Sequence, residues 1–241
     1  MIKTIYDIPE YIIKTSYQNA TIGHVLTPPE LTLEMIETLP NDIFVKGIKL
    51  FDPACKNGSF LFQSVIKMID KDFTIKEIES SLYTCDTLNA SLNIAESGIK
   101  HIFRFPYHNS LIKINDLFYK HKDIELVYDD LIKTISGDYD VITFFDSLEH
   151  FEDISFVKDL KCNYVIISVP NCHYFNDEWF KEWKHRKPNE HLYYFNTESL
   201  VNFFDECGFE CVNTSNVEDV IRKNDNETYS NILTATFKKI N

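Results

Sequence analysis

The residues with the clearest chemical potential are carboxylates and a glycine set at the ends of apolar runs, followed later by two histidines. Leu50 to Leu61 reads LFDPACKNGSFL: an apolar run, Ile48 to Phe51, ends in Asp52, a short turn carries Gly58, and an apolar-periodic segment, Phe60 to Ile69, follows. That order is a buried strand, a tight turn and a helix, the layout of a nucleotide-binding β-α unit. Glycine lets the backbone approach a ligand, and the helix start offers unpaired N–H groups to an anion. A second carboxylate, Asp86, ends the apolar stretch Leu82 to Cys85, where an ionised side chain that only accepts suits the two hydroxyls of a ribose. Further on, His150 stands beside Glu149 and near Asp146, and His185 and His191 flank Pro188 in an aromatic stretch. An imidazole titrates near neutral pH and can remove a proton from a hydroxyl. For Asp146, Glu149 and His150, taken to share one helical face, three readings stay open: bracing of the loop, a general base, and ligation of a divalent ion.

These groups need a scaffold, and the rest of the sequence supplies an alternation of strands and helices that predicts a mostly parallel sheet. Pro28 and Pro29 precede LTLEMIETL, whose Leu31, Met35, Ile36 and Leu39 fall on one helical face. Strands are expected at 48–51, 82–85, 124–128, 140–145 and 164–169, with closing strands at 209–212 and 232–237. Helices are expected from Ser59, over 91–97 with Gly98 as its stop, and over 197–207 before Gly208. Two stretches resist the alternation. Residues 101–122 are long, aromatic and basic, and residues 171–195 are rich in aromatics and histidines. The second leaves the carboxyl end of a strand, where functional loops of open α/β sheets gather. Trp179, Trp183, Tyr193 and Tyr194 are candidates for a pocket wall or for packing over the sheet edge.

Composition narrows the class. The chain has 241 residues, 44% of them hydrophobic, which suits one domain with a proper core. The formal charge of -13 argues against a passive nucleic-acid binder, because phosphate neutralisation needs a basic face; the basic run at 181–187 leaves local contact with nucleic acid open. No apolar run approaches membrane-spanning length and no signal-peptide pattern opens the chain, so the expected location is the cytoplasm. The 6 cysteines lack metal-site spacing and are expected as reduced, mostly buried thiols, with a zinc site from Cys172, His173 and a distant partner left open.

The segment DPACKNGSFL resembles motif I of the S-adenosylmethionine-dependent methyltransferases, in the form found in the adenine-amino DNA methyltransferases. Lys56 departs from that form, standing where the first glycine is usual, so the turn must be reshaped or hold an unusual backbone angle. TCDTLNASLNIAESG is similar to the ribose-binding segment of the same enzymes. DYDVITFFDSLEHFED, YVIISVPN and WKHRKPNEHLYYFNTESLVNFFDECGF resemble the fourth strand, the next strand and the tail of small-molecule and glycan-type members. TPPEL at 27–31 resembles the DNA-modifying branch, yet the Asn/Asp-Pro-Pro-aromatic motif of that branch is missing; Phe145, Asp146, Ser147 and Leu148 stand in its place.

The resemblance implies a Rossmann-like methyltransferase fold: a mostly parallel sheet, helices on both faces and an antiparallel closing strand. It implies one domain over 1–241, with a helical segment at 1–46 leading in and a substrate-side insertion at 171–195. S-adenosylmethionine is then the cofactor, held by Asp52, Ala54, Lys56, Gly58, Asp86, Asp129 and Phe145, with Asp129 and Asp130 both candidates beside the adenine. His150 and His191 become the catalytic candidates, no resident metal is expected, and the acceptor is a small molecule or saccharide-like compound, methylated on oxygen or nitrogen. Two alternatives remain: a nucleic-acid methyltransferase of the adenine-amino type, and a cofactor-binding partner subunit without activity.

Overall fold

In the computed structural model the described residues are 27, 29–53, 59–84, 115–116, 135, 137–222 and 228–240. The chain divides into two compact units, Met1–Ile142 and Thr143–Asn241. The expected strand at 124–128 and helix at 91–97 lie outside the described residues.

The first unit is built on parallel strands. Helix α1 (Pro29–Glu37) opens on proline, a position whose missing N–H has no helical partner anyway. It buries Leu31, Met35 and Ile36, and Leu39 follows just past its end. Strand β1 (Leu50–Asp52) is buried throughout, as a strand covered on both faces must be. It pairs in parallel with β2 (Leu82–Thr84) on one side and with the start of β4 (Val141–Phe145) on the other. The strand β3 (Asn115–Asp116) continues the sheet beyond β2, also in parallel, within the long stretch that the sequence pattern could not resolve. Tyr139 fixes the approach to β4 by stacking on Phe51 at 4.7 Å, while Asp140 accepts the Lys49 amide at 2.8 Å.

Helix α2 (Ser59–Asp70) begins where the motif predicts and buries Phe60, Leu61, Phe62, Val65, Ile66 and Met68. Asp72 ends it in the left-handed region at φ 58°, with the Phe73 amide donating to Met68 and the Asp72 amide to Ile69. This is the paired closure that satisfies the last helical carbonyls. Helix α3 (Ile75–Ser81) starts at once on a capping box, Thr74 with Glu77.

In the second unit β4 is followed by β5 (Tyr164–Pro170), β7 (Ile232–Lys239) and β6 (Phe209–Ser215). The β5–β7 and β6–β7 pairs are antiparallel, so β7 is the closing strand that the resemblance implies. Helix α4 (Asp177–Glu182) falls inside the 171–195 stretch, and α6 (Asp219–Arg222) precedes β7. Helix α5 (Thr197–Glu206) buries Leu200 and Phe204, and the Phe204 ring stacks on Phe237 of β7 at 4.0 Å. Gly208 then turns the chain at φ 81°, which a side chain would strain. Together the strands make a mixed, mostly parallel sheet with antiparallel closing strands.

Candidate active site

Two sets of residues merit separate description, one in each unit. In the first, Asp52 sits at the carboxyl end of β1 with only 3% of its surface exposed, and Pro53 begins the turn toward α2. A buried carboxylate at a strand end, followed closely by a helix start, fits the adenosyl and amino-acid ends of a nucleoside-type cofactor. Ala54, Lys56, Gly58, Asp86 and Asp129 lie outside the described residues.

The second set gathers after β4. Phe145 ends the strand half-buried, and Asp146 turns the chain in the left-handed region at φ 46°, its amide donating to the Ser168 carbonyl at 2.9 Å. A non-glycine residue in that region is uncommon and concentrates at functional turns. Residues Leu148–His150 then form a single 3-10 turn, not the longer helical face that the spacing suggested. Asp146 precedes this turn instead of sharing it.

The turn is joined to a segment some forty residues later. The Glu149 carbonyl accepts the Leu192 amide at 2.8 Å and the Tyr193 amide at 3.4 Å. The Tyr193 hydroxyl donates to the Glu152 carbonyl at 3.1 Å. His150 Nδ1 lies 2.9 Å from the Glu190 carbonyl. A carbonyl only accepts, so Nδ1 carries the proton and the lone pair of a neutral His150 is on Nε2. That nitrogen is 3.9 Å from Glu149 Oε1, and the Glu149 side chain is 1% exposed. His191 meets His150 edge to face, with ring centres 4.7 Å apart.

The structure therefore brings the two predicted histidines together and adds Glu149. Burial is the main force lowering the affinity of both imidazoles for protons. For His150 it outweighs the opposing Glu190 carbonyl and the Asp146 charge. For His191, burial followed by the His150 and Lys187 charges brings the pKa down to about 4. Both rings are then neutral near pH 7, and a neutral imidazole can accept a proton.

Aromatic rings extend from this cluster. Tyr194 lies 6.3 Å from His191 and 5.9 Å from the buried Trp183, which stacks on Trp179 at 5.4 Å. The ends of the stretch are tied by a parallel bridge between Asn171 and Phe195, with the Cys172 amide donating to Phe195 at 2.7 Å.

Other candidates have structural partners. His185 Nε2 faces Asn231 Oδ1 at 3.2 Å, and His173 Nε2 faces the Ser230 carbonyl at 2.8 Å. Among the described residues Cys172 and His173 belong to no group of three metal-type ligands, so the zinc suggestion for that pair gains no support. Sequence reasoning missed the buried Glu218, which accepts a hydrogen bond from Ser168 of β5; a lone glutamate in a polar stretch carries no signal for burial.

A parallel sheet closed by antiparallel strands, with a carboxylate at the end of β1 and polar side chains after β4, defines a class I methyltransferase architecture. The profile of the methyltransferase-domain family matches residues 49–214, more than two thirds of the chain, and the chain belongs to that family of enzymes. Among solved structures it is similar to an S-adenosylmethionine-dependent methyltransferase from Clostridium acetobutylicum ATCC 824. The TM-score is 0.54 at 11% identity, over 97% of this chain and 100% of that one. It is also similar to magnesium protoporphyrin IX methyltransferase from Synechocystis PCC 6803, with a TM-score of 0.53 at 12% identity, over 98% and 99% of the two chains. No curated protein sequence matches the chain. The methyl donor for an enzyme of this family and fold is S-adenosylmethionine. No helix among the described residues is long and apolar enough to cross a membrane.

Proposed function

We propose that this methyltransferase acts on a small-molecule or saccharide-like acceptor, that the acceptor is held by residues 171–195, and that His150 removes its proton. One observation carries the reading. The Glu190 carbonyl fixes the His150 tautomer, leaving Nε2 as a neutral, proton-accepting nitrogen beside His191 and Glu149.

When bound, S-adenosylmethionine supplies a methyl group on a sulfonium, open to direct displacement. A hydroxyl attacks poorly unless its proton leaves as the new bond forms, so a positioned base contributes to the rate. His150 Nε2 is that base, and His191, largely buried and in contact with the His150 ring, holds it in place. A nitrogen acceptor with a free lone pair needs alignment alone, so the presence of this base favours oxygen. Trp179, Trp183, Tyr193 and Tyr194 supply the aromatic wall. Asp52, Ala54, Lys56, Gly58, Asp86, Asp129 and Phe145 complete the proposal as the cofactor-binding set. A small acceptor also agrees with the charge of -13, which opposes tight binding to a phosphate backbone.

The test is a screen of sugars, phenols and nucleotides for acceptor-dependent formation of S-adenosylhomocysteine, repeated with His150→Asn and His191→Ala. Transfer should fall in both variants while affinity for S-adenosylhomocysteine stays nearly unchanged. Full turnover in both would make these histidines structural. Tight, sequence-dependent binding of DNA or RNA at low salt would move the acceptor class to nucleic acid.

A further inference from the structure

We propose that Glu149, His150 and His191 form a site for one divalent ion of the zinc class. The three residues each bring one ligand atom to within 4.8 Å of the other two. The His150 Nε2 to Glu149 Oε1 separation is 3.9 Å. An ion at the centre of a triangle with no side above 4.8 Å lies at most about 2.8 Å from each corner, against ~2.0–2.2 Å for bonded zinc. Inward shifts of roughly half an ångström would close the site.

Two further observations point to a ligand. His191 is 6% exposed, and its Nδ1 is enclosed with no hydrogen-bond partner. Leaving such an atom unsatisfied is costly, and a bound ion removes the cost. His150 has the outer support usual for a metal-binding imidazole: its Nδ1 is bound to the Glu190 carbonyl, which orients Nε2 toward the cluster. Two imidazoles and one carboxylate are a donor set for zinc or a similar transition ion, not for magnesium, which prefers oxygen. Three protein ligands leave a fourth position open, where an acceptor hydroxyl or water would become more acidic. That role rests on residues 171–195 holding the acceptor, and with the ion bound His150 Nε2 is a ligand and the acidifying ion takes over the part of the base; binding of the ion rests on neither.

The test uses the full chain, freed of metal by a chelator and dialysed, and titrated with Co²⁺ and Zn²⁺ under reducing conditions. One ion should bind per chain. Co²⁺ should show a nitrogen- and oxygen-ligated spectrum without the charge-transfer band of a thiolate. His191→Ala and His150→Asn should weaken binding by more than the ~10–100-fold typical of losing an outer-shell partner. His150→Asn retains an N–H for Glu190 and so guards against simple unfolding. No binding at millimolar metal, binding unchanged in both variants, or a thiolate spectrum would overturn the proposal. Turnover that persists with no ion bound and still falls in His150→Asn would overturn the ion's part in transfer and keep the acceptor-site reading. A bound ion with turnover untouched in His150→Asn would keep the ion and overturn that reading.

Discussion

The two nitrogens of His150 have separable duties, and three substitutions at that position divide them. Nδ1 ties residues 187–193 to the Leu148–His150 turn through the Glu190 carbonyl at 2.9 Å, while Nε2 faces Glu149. His150→Ala removes both functions. Losing the hydrogen bond costs ~0.5–1.5 kcal/mol, and losing the edge-to-face contact with His191 costs a similar ~0.5–1.5 kcal/mol, about 1–3 kcal/mol in all. His150→Asn places an amide N–H where Nδ1 stood, so its loss should be at most about half of that. His150→Gln reaches instead toward the position of Nε2 and gives up the tie to Glu190. All three lack the base, whose removal typically costs about 10²–10⁴ in rate. Urea unfolding followed by the fluorescence of Trp179 and Trp183 reads the stability side, since the chain's 2 tryptophans both lie in the second unit. Acceptor-dependent homocysteine formation reads the rate side. Amide exchange at Leu192 and Tyr193 should quicken in His150→Ala and stay near wild type in His150→Asn, because both amides donate to Glu149 across the same junction. Equal destabilisation by Ala and Asn would refute the tie to Glu190. Wild-type turnover in His150→Asn would refute the role of Nε2.

Further outcomes follow from packing, capping and charge. Phe204→Ala empties a fully buried site stacked on Phe237 and should cost ~3–5 kcal/mol in the second unit, read by denaturant unfolding; less than about 1 kcal/mol would mean that the packing carries little weight there. Asn196→Ala removes the capping box of α5, in which Asn196 Oδ1 accepts the Ser199 amide at 2.8 Å, and should cost ~0.5–2 kcal/mol by the same assay. The Glu77 carboxyl is held below its ordinary 4.5 chiefly by the Thr74 amide and hydroxyl and then by Lys46. A depressed carboxylate stabilises the fold above its unfolded pKa and loses that contribution as pH falls through the folded value. Thermal melts of Glu77→Gln and wild type should therefore converge below pH 4.5, and parallel curves down to acid unfolding would contradict the assignment.

Much of the scaffold was legible because its signals are local. The apolar run ending in Asp52, the helix from Ser59 and the strand at 164–170 follow directly from burial and turn chemistry. Helix α3 is also marked in the sequence, by Thr74 and Glu77 at capping-box spacing. Strand β3 has only two residues, too few to show an alternation. The site was harder. Sequence placed His150 and His191 in two suspect regions, but their meeting depends on pairing across forty residues, through the Glu149 and Glu190 carbonyls. Backbone acceptors leave no mark in a sequence, so neither the His150 tautomer nor the company of Glu149 and His191 could be read there. The left-handed turn at Asp146 likewise replaced the helical face assumed from the spacing of Asp146, Glu149 and His150.

Calorimetric titration of the full chain with S-adenosylhomocysteine, alongside Asp86→Ala, tests the methyltransferase account most directly. The account predicts one site per chain, with binding weakened by ~1–3 kcal/mol when the proposed ribose acceptor is removed. No heat with S-adenosylhomocysteine or S-adenosylmethionine, from protein shown to be folded, would contradict it and leave a member of the family that has lost its cofactor.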